Sequence, residues 1–329
     1  MSNVIDVHTH MISQAWLDIL KKHGGPRYSV KDVGNLRNLI HMDGAPFMTP
    51  TPGMFDWDLR IKSMNKGGVD ISIVSLTCPS VYWGGEATST STAVAMNDDF
   101  AAAQVAHPDR IRWYATLPWE YPERAVAELE RAVGKGAVGV MVLANIAGKS
   151  LTDPYFAPIW QAIDAQKLPV LVHPSAPPGV SEMDMVTHSL AGSIGFTFDT
   201  SLAIARCIYD GFLDRYPHLK IIASHGGGAL PYLAGRLDIC HEHIPACSAR
   251  TLDKPTNYLR RIYVDAVVYA QNALQMCVDV VGPDNVLFGS DYPHNIGDIT
   301  GCLSRVDSLS DGVRKAVRGR NAERIFNIT

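Results

Sequence analysis

Short runs of apolar, often β-branched residues recur along the chain at regular intervals. There are eight such runs, at 4–8, 70–76, 111–117, 138–144, 168–173, 219–225, 262–267 and 285–291. Runs that are apolar on both faces are typical of strands buried on both sides, as in a parallel sheet. The pattern therefore predicts eight short parallel strands.

The segments between these runs carry apolar residues at intervals of three and four. In 123–135, Val126, Leu129 and Val133 recur at that spacing, and 201–217 follows the same pattern. This period is typical of helices that pack one apolar face against a sheet. Strands alternating with helices predict an α/β fold, specifically a (β/α)8 TIM-type barrel with active-site groups at the carboxyl ends of its strands. An open doubly wound sheet is the alternative, but no glycine-rich phosphate loop follows the first run.

Residues 24–57 interrupt the alternation. The segment is rich in glycine, proline and methionine, and it is too long for an ordinary connection. We interpret it as an excursion inserted after the first strand of a single barrel domain that covers residues 1–329. A second loop, at 174–184, is expected to lie over the active site at the carboxyl ends of the strands.

Composition excludes several classes of function. The chain has 329 residues and a formal net charge of −4, from 29 basic and 33 acidic side chains. A slightly acidic chain without a lysine or arginine run lacks the electrostatic signature of a nucleic-acid or anionic-membrane binder. The six cysteines include no CxxC pair, and the N-terminus has no basic region followed by an apolar run. We expect a cytoplasmic protein with reduced cysteines.

Candidate chemistry gathers at the ends of the predicted strands. His8 and His10 lie two residues apart on the first strand, where alternate side chains face the same way. His173, His225 and Asp291 end the fifth, sixth and eighth strands. In a barrel these ends meet at one mouth, and imidazole nitrogens with one carboxylate suit Zn²⁺ or a similar first-row divalent ion.

Four motifs, in this order, resemble the amidohydrolase superfamily, and above all its aminocarboxymuconate-semialdehyde decarboxylase branch. They are IDVHTH (5–10), LVHP (171–174), SHGGGALPYLAGRLD (224–238) and FGSDYPH (288–294). The resemblance covers the whole chain and implies a barrel of the metal-dependent hydrolase type. It implies that His8, His10, His173 and Asp291 are the metal ligands.

The resemblance also implies that His225 is the catalytic acid or base, and that the ion is one divalent metal, zinc or alternatively manganese. Members of the superfamily that hold two metal ions often bridge the two ions with a carboxylated lysine at the end of the fourth strand. Lys149 lies several residues beyond that point, so we expect a single metal.

Substrate contacts are a second group of expectations. By the resemblance, Arg236 binds the substrate carboxylate of a neighbouring subunit, which implies a homodimer. A second substrate-binding arginine of that branch aligns with Met48, and this departure weakens the expectation that the substrate is the same semialdehyde. Trp83, Phe47 and Met48 are candidates for the wall of a pocket for an aromatic or conjugated substrate, and His294 for a direct contact.

Two mechanisms fit one metal and one histidine. In non-oxidative decarboxylation, His225 protonates the carbon that bears the carboxylate and CO2 leaves. In hydrolysis of a lactone, ester or amide, the metal activates a water while His225 and Asp291 manage the protons. The resemblance favours a decarboxylase of an unsaturated or aromatic carboxylic acid from aromatic catabolism. A third hypothesis is a binding protein whose zinc is structural. Structural zinc sites are commonly rich in cysteine and have ligands close in sequence, whereas the candidate ligands here are mostly histidines spread from residue 8 to residue 291.

Overall fold

The computed structural model describes residues 3–32, 34, 38–177, 179–180 and 182–328. Thirteen strands are present among them. Their bounds are β1 (Ile5–His10), β2 (Tyr28–Asp32), β3 (Asn38–Met42), β4 (Ala45–Met48), β5 (Ile71–Ser75), β6 (Ile111–Thr116), β7 (Gly139–Leu143), β8 (Asn145–Ile146), β9 (Lys149–Ser150), β10 (Pro169–His173), β11 (Lys220–Ala223), β12 (Tyr263–Asp265) and β13 (Val286–Leu287).

Helices connect most of the barrel strands. Their bounds are α1 (Gln14–His23), α2 (Trp57–Gly67), α3 (Gly85–Ala106), α4 (Pro122–Gly134), α5 (Ala157–Ala165), α6 (Phe196–Tyr209), α7 (Phe212–Arg215), α8 (Ser224–Gly227), α9 (Leu230–His243), α10 (Pro245–Ser248), α11 (Pro255–Leu259), α12 (Gln271–Val281), α13 (Ile299–Asp307), α14 (Asp311–Lys315) and α15 (Asn321–Phe326). Within the described residues, no helix combines the length and apolarity that crossing a membrane requires.

Eight strands form one parallel sheet in the order β1-β5-β6-β7-β10-β11-β12-β13. The sheet closes on itself beyond the short last strand. The amide of Val7 donates to the carbonyl of Phe288 at 3.0 Å, and the amide of Asp291 donates to that of His8 at 2.8 Å. A bridge between Thr9 and Tyr292 continues the pairing. The predicted (β/α)8 barrel is therefore confirmed, and the open doubly wound sheet is excluded.

Burial explains why these sequence runs form the barrel. Every residue of β5, β7 and β10 is buried, as expected for strands covered by side chains inside and helices outside. The helices turn one apolar face to the sheet: in α4, Ala125, Leu129 and Ala132 are buried, which is the three- and four-residue spacing of an amphipathic helix. The strand ends are thus held by a continuous core.

The excursion forms a small sheet of its own. Strands β2, β3 and β4 pair antiparallel in that order, and several of their residues are exposed. The end of the excursion packs against the mouth of the barrel: the Ile12 amide donates to the Met54 carbonyl at 2.8 Å, and the Thr51 hydroxyl donates to the Pro293 carbonyl at 2.9 Å. It therefore lies directly beside the strand ends.

Candidate metal centre

Four side chains from the ends of three strands meet in the barrel. His8 and His10 lie on β1, His173 is the last residue of β10, and Asp291 follows β13. One ligand atom from each lies within 4.8 Å of the others, and all four residues are buried. Three imidazole nitrogens and one carboxylate oxygen make up a donor set that could hold one divalent ion.

Hydrogen bonds on the far side of two rings determine which nitrogen carries the proton. His8 Nδ1 lies 2.6 Å from Oδ2 of Asp265, and His173 Nδ1 lies 2.9 Å from the Pro174 carbonyl oxygen. A carbonyl or an ionised carboxylate only accepts, so each Nδ1 carries the hydrogen. In the neutral rings each Nε2 therefore has a free lone pair, as a metal ligand requires.

The third imidazole has a hydroxyl partner. His10 Nδ1 lies 3.0 Å from the Ser75 hydroxyl, which in turn donates to the Thr9 carbonyl at 3.4 Å. With the hydroxyl hydrogen directed to Thr9, the Ser75 oxygen accepts from His10, and His10 Nε2 is also left with a lone pair. Each of the three imidazole rings is thus held in its orientation by a hydrogen bond at Nδ1, on the side away from the cluster.

The fit of these residues to a cation is supported by buried acceptor atoms that face one another. His8 Nε2 and His10 Nε2 are 3.1 Å apart, and Oδ1 of Asp291 lies 3.4 and 3.2 Å from them. That buried oxygen has no hydrogen-bond partner among the described residues. Acceptors facing one another in a buried site are unfavourable without a positive charge between them. A divalent ion fits this arrangement.

The pKa values of His10, His173 and Asp291 agree with a metal-binding role. Burial lowers the pKa of His8, but the neighbouring Asp265 carboxylate outweighs burial and raises it. Burial lowers the pKa of His10 to about 3 and that of His173 well below its ordinary value, so both rings are neutral at neutral pH. Burial would raise the pKa of Asp291, but the imidazoles of His294, His10 and His225 lower it well below the usual range. Deprotonated ligands bind metal without first losing a proton.

His225 stands beside the cluster rather than in it. The residue follows β11 in the single turn α8. Its ring centroid lies 5.0 Å from that of His8 and 5.8 Å from that of His173, and its Nε2 lies 3.7 Å from Oδ2 of Asp291. The side chain retains 12% exposure, so one edge of the ring is open to a ligand in the mouth of the barrel.

His225 and Asp291 both have an unusual backbone conformation, which directs their side chains into the mouth of the barrel. His225 has φ 54° and Asp291 has φ 56°, in the left-handed region that costs a residue with a Cβ about 1–3 kcal/mol. The glycines after His225 are required by close approach: a Cβ on Gly228 would lie 2.3 Å from the Thr197 carbonyl oxygen. The HGGG motif therefore lets the chain turn tightly against α6.

His294 is also brought to the centre. Its Nε2 lies 2.9 Å from the Thr77 hydroxyl, and its ring centroid is 5.0 Å from that of His10. Burial lowers the pKa of its imidazole. Of the five residues predicted to contact substrate, this one lies next to the metal ligands.

Trp83 has an ordinary packing role in the structure. Its indole nitrogen donates to the Ser80 carbonyl at 3.0 Å, its ring lies 6.2 Å from that of Trp16, and 6% of the residue is exposed. The place of Trp83 in a pocket wall stays a prediction.

Phe47 and Met48 lie on β4 of the excursion. The Phe47 ring is half-buried, 6.3 Å from Tyr28 and 6.4 Å from Phe196. Met48 is buried and pairs with Ile40 on β3. Phe47 therefore joins the small sheet to the start of α6, and the contact of Phe47 and Met48 with substrate stays a prediction.

Arg236 lies on α9 and is exposed. Within the described residues it forms no ion pair and no side-chain hydrogen bond. Lys149 is likewise outside the centre, with its Nζ 4.5 Å from the centroid of the Tyr155 ring. The lysine is thus not placed as a bridging ligand for a second metal.

Two buried residues of the site were not predicted. Asp265, at the end of β12, contacts His8, and the run IYVDAV does show one carboxylate at the end of a buried strand. Arg60 is fully buried in α2; it donates to the Thr9 hydroxyl and the His10 carbonyl and lies 4.5 Å from the Tyr292 ring. Nothing in the helical pattern around Arg60 separates it from a surface arginine.

Residues 5–328 match the family model described as amidohydrolase. Among curated relatives, 2-amino-3-carboxymuconate-6-semialdehyde decarboxylase of Dictyostelium discoideum is 29% identical over 325 residues, which cover 97% of this chain and 90% of the relative. Gamma-resorcylate decarboxylase of Polaromonas sp. is 30% identical over 288 residues, which cover 82% of this chain and 87% of the relative.

Solved structures share the fold over their whole length. 5-Carboxyvanillate decarboxylase from Sphingomonas paucimobilis has a TM-score of 0.87 at 26% identity, with 100% of both chains covered. A dihydroxybenzoic acid decarboxylase from Polaromonas sp. has a TM-score of 0.81 at 24% identity, with 100% of this chain and 98% of that chain covered. The latter structure contains manganese and the inhibitor 2-nitroresorcinol.

Proposed function

The chain belongs to the amidohydrolase family and is a decarboxylase of that family; we propose that it removes CO2 from an aromatic or unsaturated carboxylic acid held at the centre formed by His8, His10, His173 and Asp291. The observation that carries this proposal is the cluster itself, three imidazoles and one carboxylate, with His225 beside it and open to the mouth. The similarity of this chain to a 2-amino-3-carboxymuconate-6-semialdehyde decarboxylase and to a gamma-resorcylate decarboxylase supports the substrate class.

The four ligands would hold a single divalent ion. We propose zinc, because a set dominated by neutral imidazoles suits zinc and other late first-row metals. Manganese is the alternative, and the manganese bound in a related decarboxylase supports it. When bound, the ion supplies Lewis acidity that draws electrons away from the substrate as the carbon–carbon bond breaks.

The remaining chemistry belongs to side chains. His225 is the proton donor to the carbon that carries the carboxylate, because its partly exposed ring lies beside the cluster with its Nε2 3.7 Å from Oδ2 of Asp291. Asp291 directs Oδ1 to the ligand rings and Oδ2 to His225, so the same carboxylate can hold the ion and stabilise a protonated His225. After protonation the bond to the carboxylate breaks and CO2 leaves, with no change of oxidation state in any cofactor.

A homodimer would bring an arginine to the substrate. Arg236 is exposed on α9, between Tyr232 and Ile239, which are 80% and 57% exposed. On α6, Phe198 and Leu202 are 59% and 42% exposed. Large apolar side chains exposed on two neighbouring helices are candidates for an interaction site.

The two helices present this surface together. The Tyr209 hydroxyl of α6 donates to the Leu237 carbonyl of α9 at 3.1 Å, and the Ala229 amide donates to the Ser201 hydroxyl at 2.8 Å. We propose that α6 and α9 form the dimer interface and that Arg236 reaches the substrate carboxylate of the partner chain. The planar guanidinium suits that acid.

The test is CO2 release by metal-loaded protein from a panel of acids. The panel holds aminocarboxymuconate semialdehyde, hydroxylated benzoates and nitrogen-bearing aromatic carboxylates. We expect metal-dependent CO2 from at least one member. No CO2 release from any acid of the panel, together with metal-dependent cleavage of a lactone or amide, would overturn the proposed decarboxylation and support hydrolysis at the same site.

A further inference from the structure

Asp265 is a fully buried carboxylate between the metal ligands and the proton donor. It ends β12, and its exposure is 0%. Oδ2 accepts from His8 Nδ1 at 2.6 Å and from the backbone amide of His225 at 3.0 Å. Oδ1 accepts from the backbone amides of Gly226 and Val267, both at 3.0 Å.

These four donors occupy the whole hydrogen-bonding capacity of the side chain. An ionised carboxylate offers about four acceptor positions and no donor. An asparagine at this position would turn its NH2 group toward two of the donors. The site therefore requires an anion of this shape, and a neutral isostere cannot replace it without loss.

We propose that Asp265 is a positioning residue that sets the orientation of His8 toward the metal and the position of His225 relative to that metal. The inference rests on the proposed metal centre. A carboxylate behind a ligand imidazole holds its ring and makes the metal-binding nitrogen more basic. The same anion, through the His225 and Gly226 amides, holds the left-handed turn that aims the His225 ring.

The alternative is a carboxylate that only stabilises the turn after β11. Such a residue would need the amides of His225, Gly226 and Val267 but no contact with His8. The His8 bond is the shortest of the four, as expected for a charge-assisted hydrogen bond. The two roles predict different effects on metal affinity, which separates them experimentally.

The test is Asp265→Asn, with Glu128→Gln as the matched control. Glu128 is also a buried carboxylate, and it accepts from Asn97 and Arg131 on the outer side of the barrel. For Asp265→Asn we expect metal affinity, measured by chelator competition, to fall about 10- to 100-fold. We expect a changed visible spectrum in the cobalt-loaded protein, and a lower kcat with little change in KM at saturating metal. Glu128→Gln should change stability only.

Two further measurements keep the inference testable if Asp265→Asn folds poorly. Asp265→Glu keeps the charge but moves it by one methylene, so metal affinity and kcat should still fall. In the wild-type zinc-loaded protein, nitrogen-15 spectra should show a slowly exchanging proton on His8 Nδ1. Wild-type affinity and spectrum in either folded variant, or no Nδ1 proton on His8, would overturn the positioning role. If the wild-type protein binds no metal, the proposed function fails instead.

Discussion

The metal centre and the excursion beside it differ in how tightly the fold constrains them. In the centre, four buried side chains come from the ends of three barrel strands, and each imidazole ring has a hydrogen-bond partner behind it. In the excursion, three short strands are partly exposed, and Phe47 meets its neighbours through ring contacts more than 6 Å between centroids. The comparison teaches that the candidate ligands are fixed by buried strand ends and hydrogen bonds, whereas the excursion is held by fewer constraints, so we expect changes in it to affect substrate binding before metal binding.

Asp291→Ala should have the largest effect, because it removes a proposed metal ligand from the buried centre. Metal affinity should fall by more than about 100-fold, since partners behind the ligands alone are worth 10- to 100-fold, and CO2 release should vanish with the metal. Metal analysis of the purified protein measures this. Asp58→Ala, an exposed carboxylate on α2, is the control. Full metal occupancy in Asp291→Ala would refute the ligand assignment.

His225→Asn separates the proton donor from the ligands. We expect kcat to fall by about 10²- to 10⁴-fold, the usual contribution of a positioned acid or base, with metal content unchanged. His218→Asn, at an exposed histidine, should have wild-type kcat. Loss of metal in His225→Asn would instead make His225 a ligand.

The strand ends were predictable because parallel strands of a barrel end at one mouth, so a histidine or aspartate after a buried run has a defined place. That is why His8, His10, His173, His225 and Asp291 could be brought together from the sequence. Asp265 also ends such a run, but a single aspartate carries no information about which ring it will face. Its role depends on a contact across 257 residues of chain.

The excursion was recognisable as a break in the pattern, but its structure was not. Its glycines, prolines and methionines have no clear period, so nothing in the sequence pattern indicated the antiparallel pairing of β2, β3 and β4. Trp83 shows the same limit. An aromatic residue after a strand fits a pocket wall and a core equally well, and its partners Ser80 and Trp16 decide its packing.

Arg236→Ala tests the contribution of a second chain. We expect kcat/KM to fall roughly 10- to 150-fold, the equivalent of a hydrogen-bonded charge worth about 1.5–3 kcal/mol. Arg236→Lys should recover only part of this, because the ammonium lacks the planar fork. Verified heterodimers of His225→Asn and Arg236→Ala chains should regain partial activity, since one of their two sites is intact. No recovery would count against a shared site.

Phe47→Ala probes the less constrained region. Loss of its ring contacts should raise KM for an aromatic acid by about 2- to 12-fold, the range of one aromatic pair, without change in metal content. Steady-state kinetics against an aliphatic and an aromatic acid measure the difference. An equal effect on both acids, or a loss of metal, would show that Phe47 supports the fold and does not select the substrate.

The substitution Asp199→Asn should have the smallest effect on catalysis and a measurable effect on the pH dependence of stability. It accepts from Asn145 and from the Ser175 amide behind His173, and burial raises its pKa to about 6. The folded state therefore binds more protons than the unfolded state between about pH 4 and 6, and stability falls as pH rises through that window, by at most about 3 kcal/mol. Urea unfolding of Asp199→Asn should show a shallower fall, and an identical pH profile would contradict it.

The most direct test of the account is a titration of metal-free protein with zinc or manganese while CO2 release from the best acid of the panel is followed. We predict no CO2 without metal, a linear rise, and a break at one equivalent per chain, with the rise absent in Asp291→Ala. CO2 release that is unaffected by removal of metal, or a break at two equivalents, would contradict a decarboxylase built on one ion and four ligands.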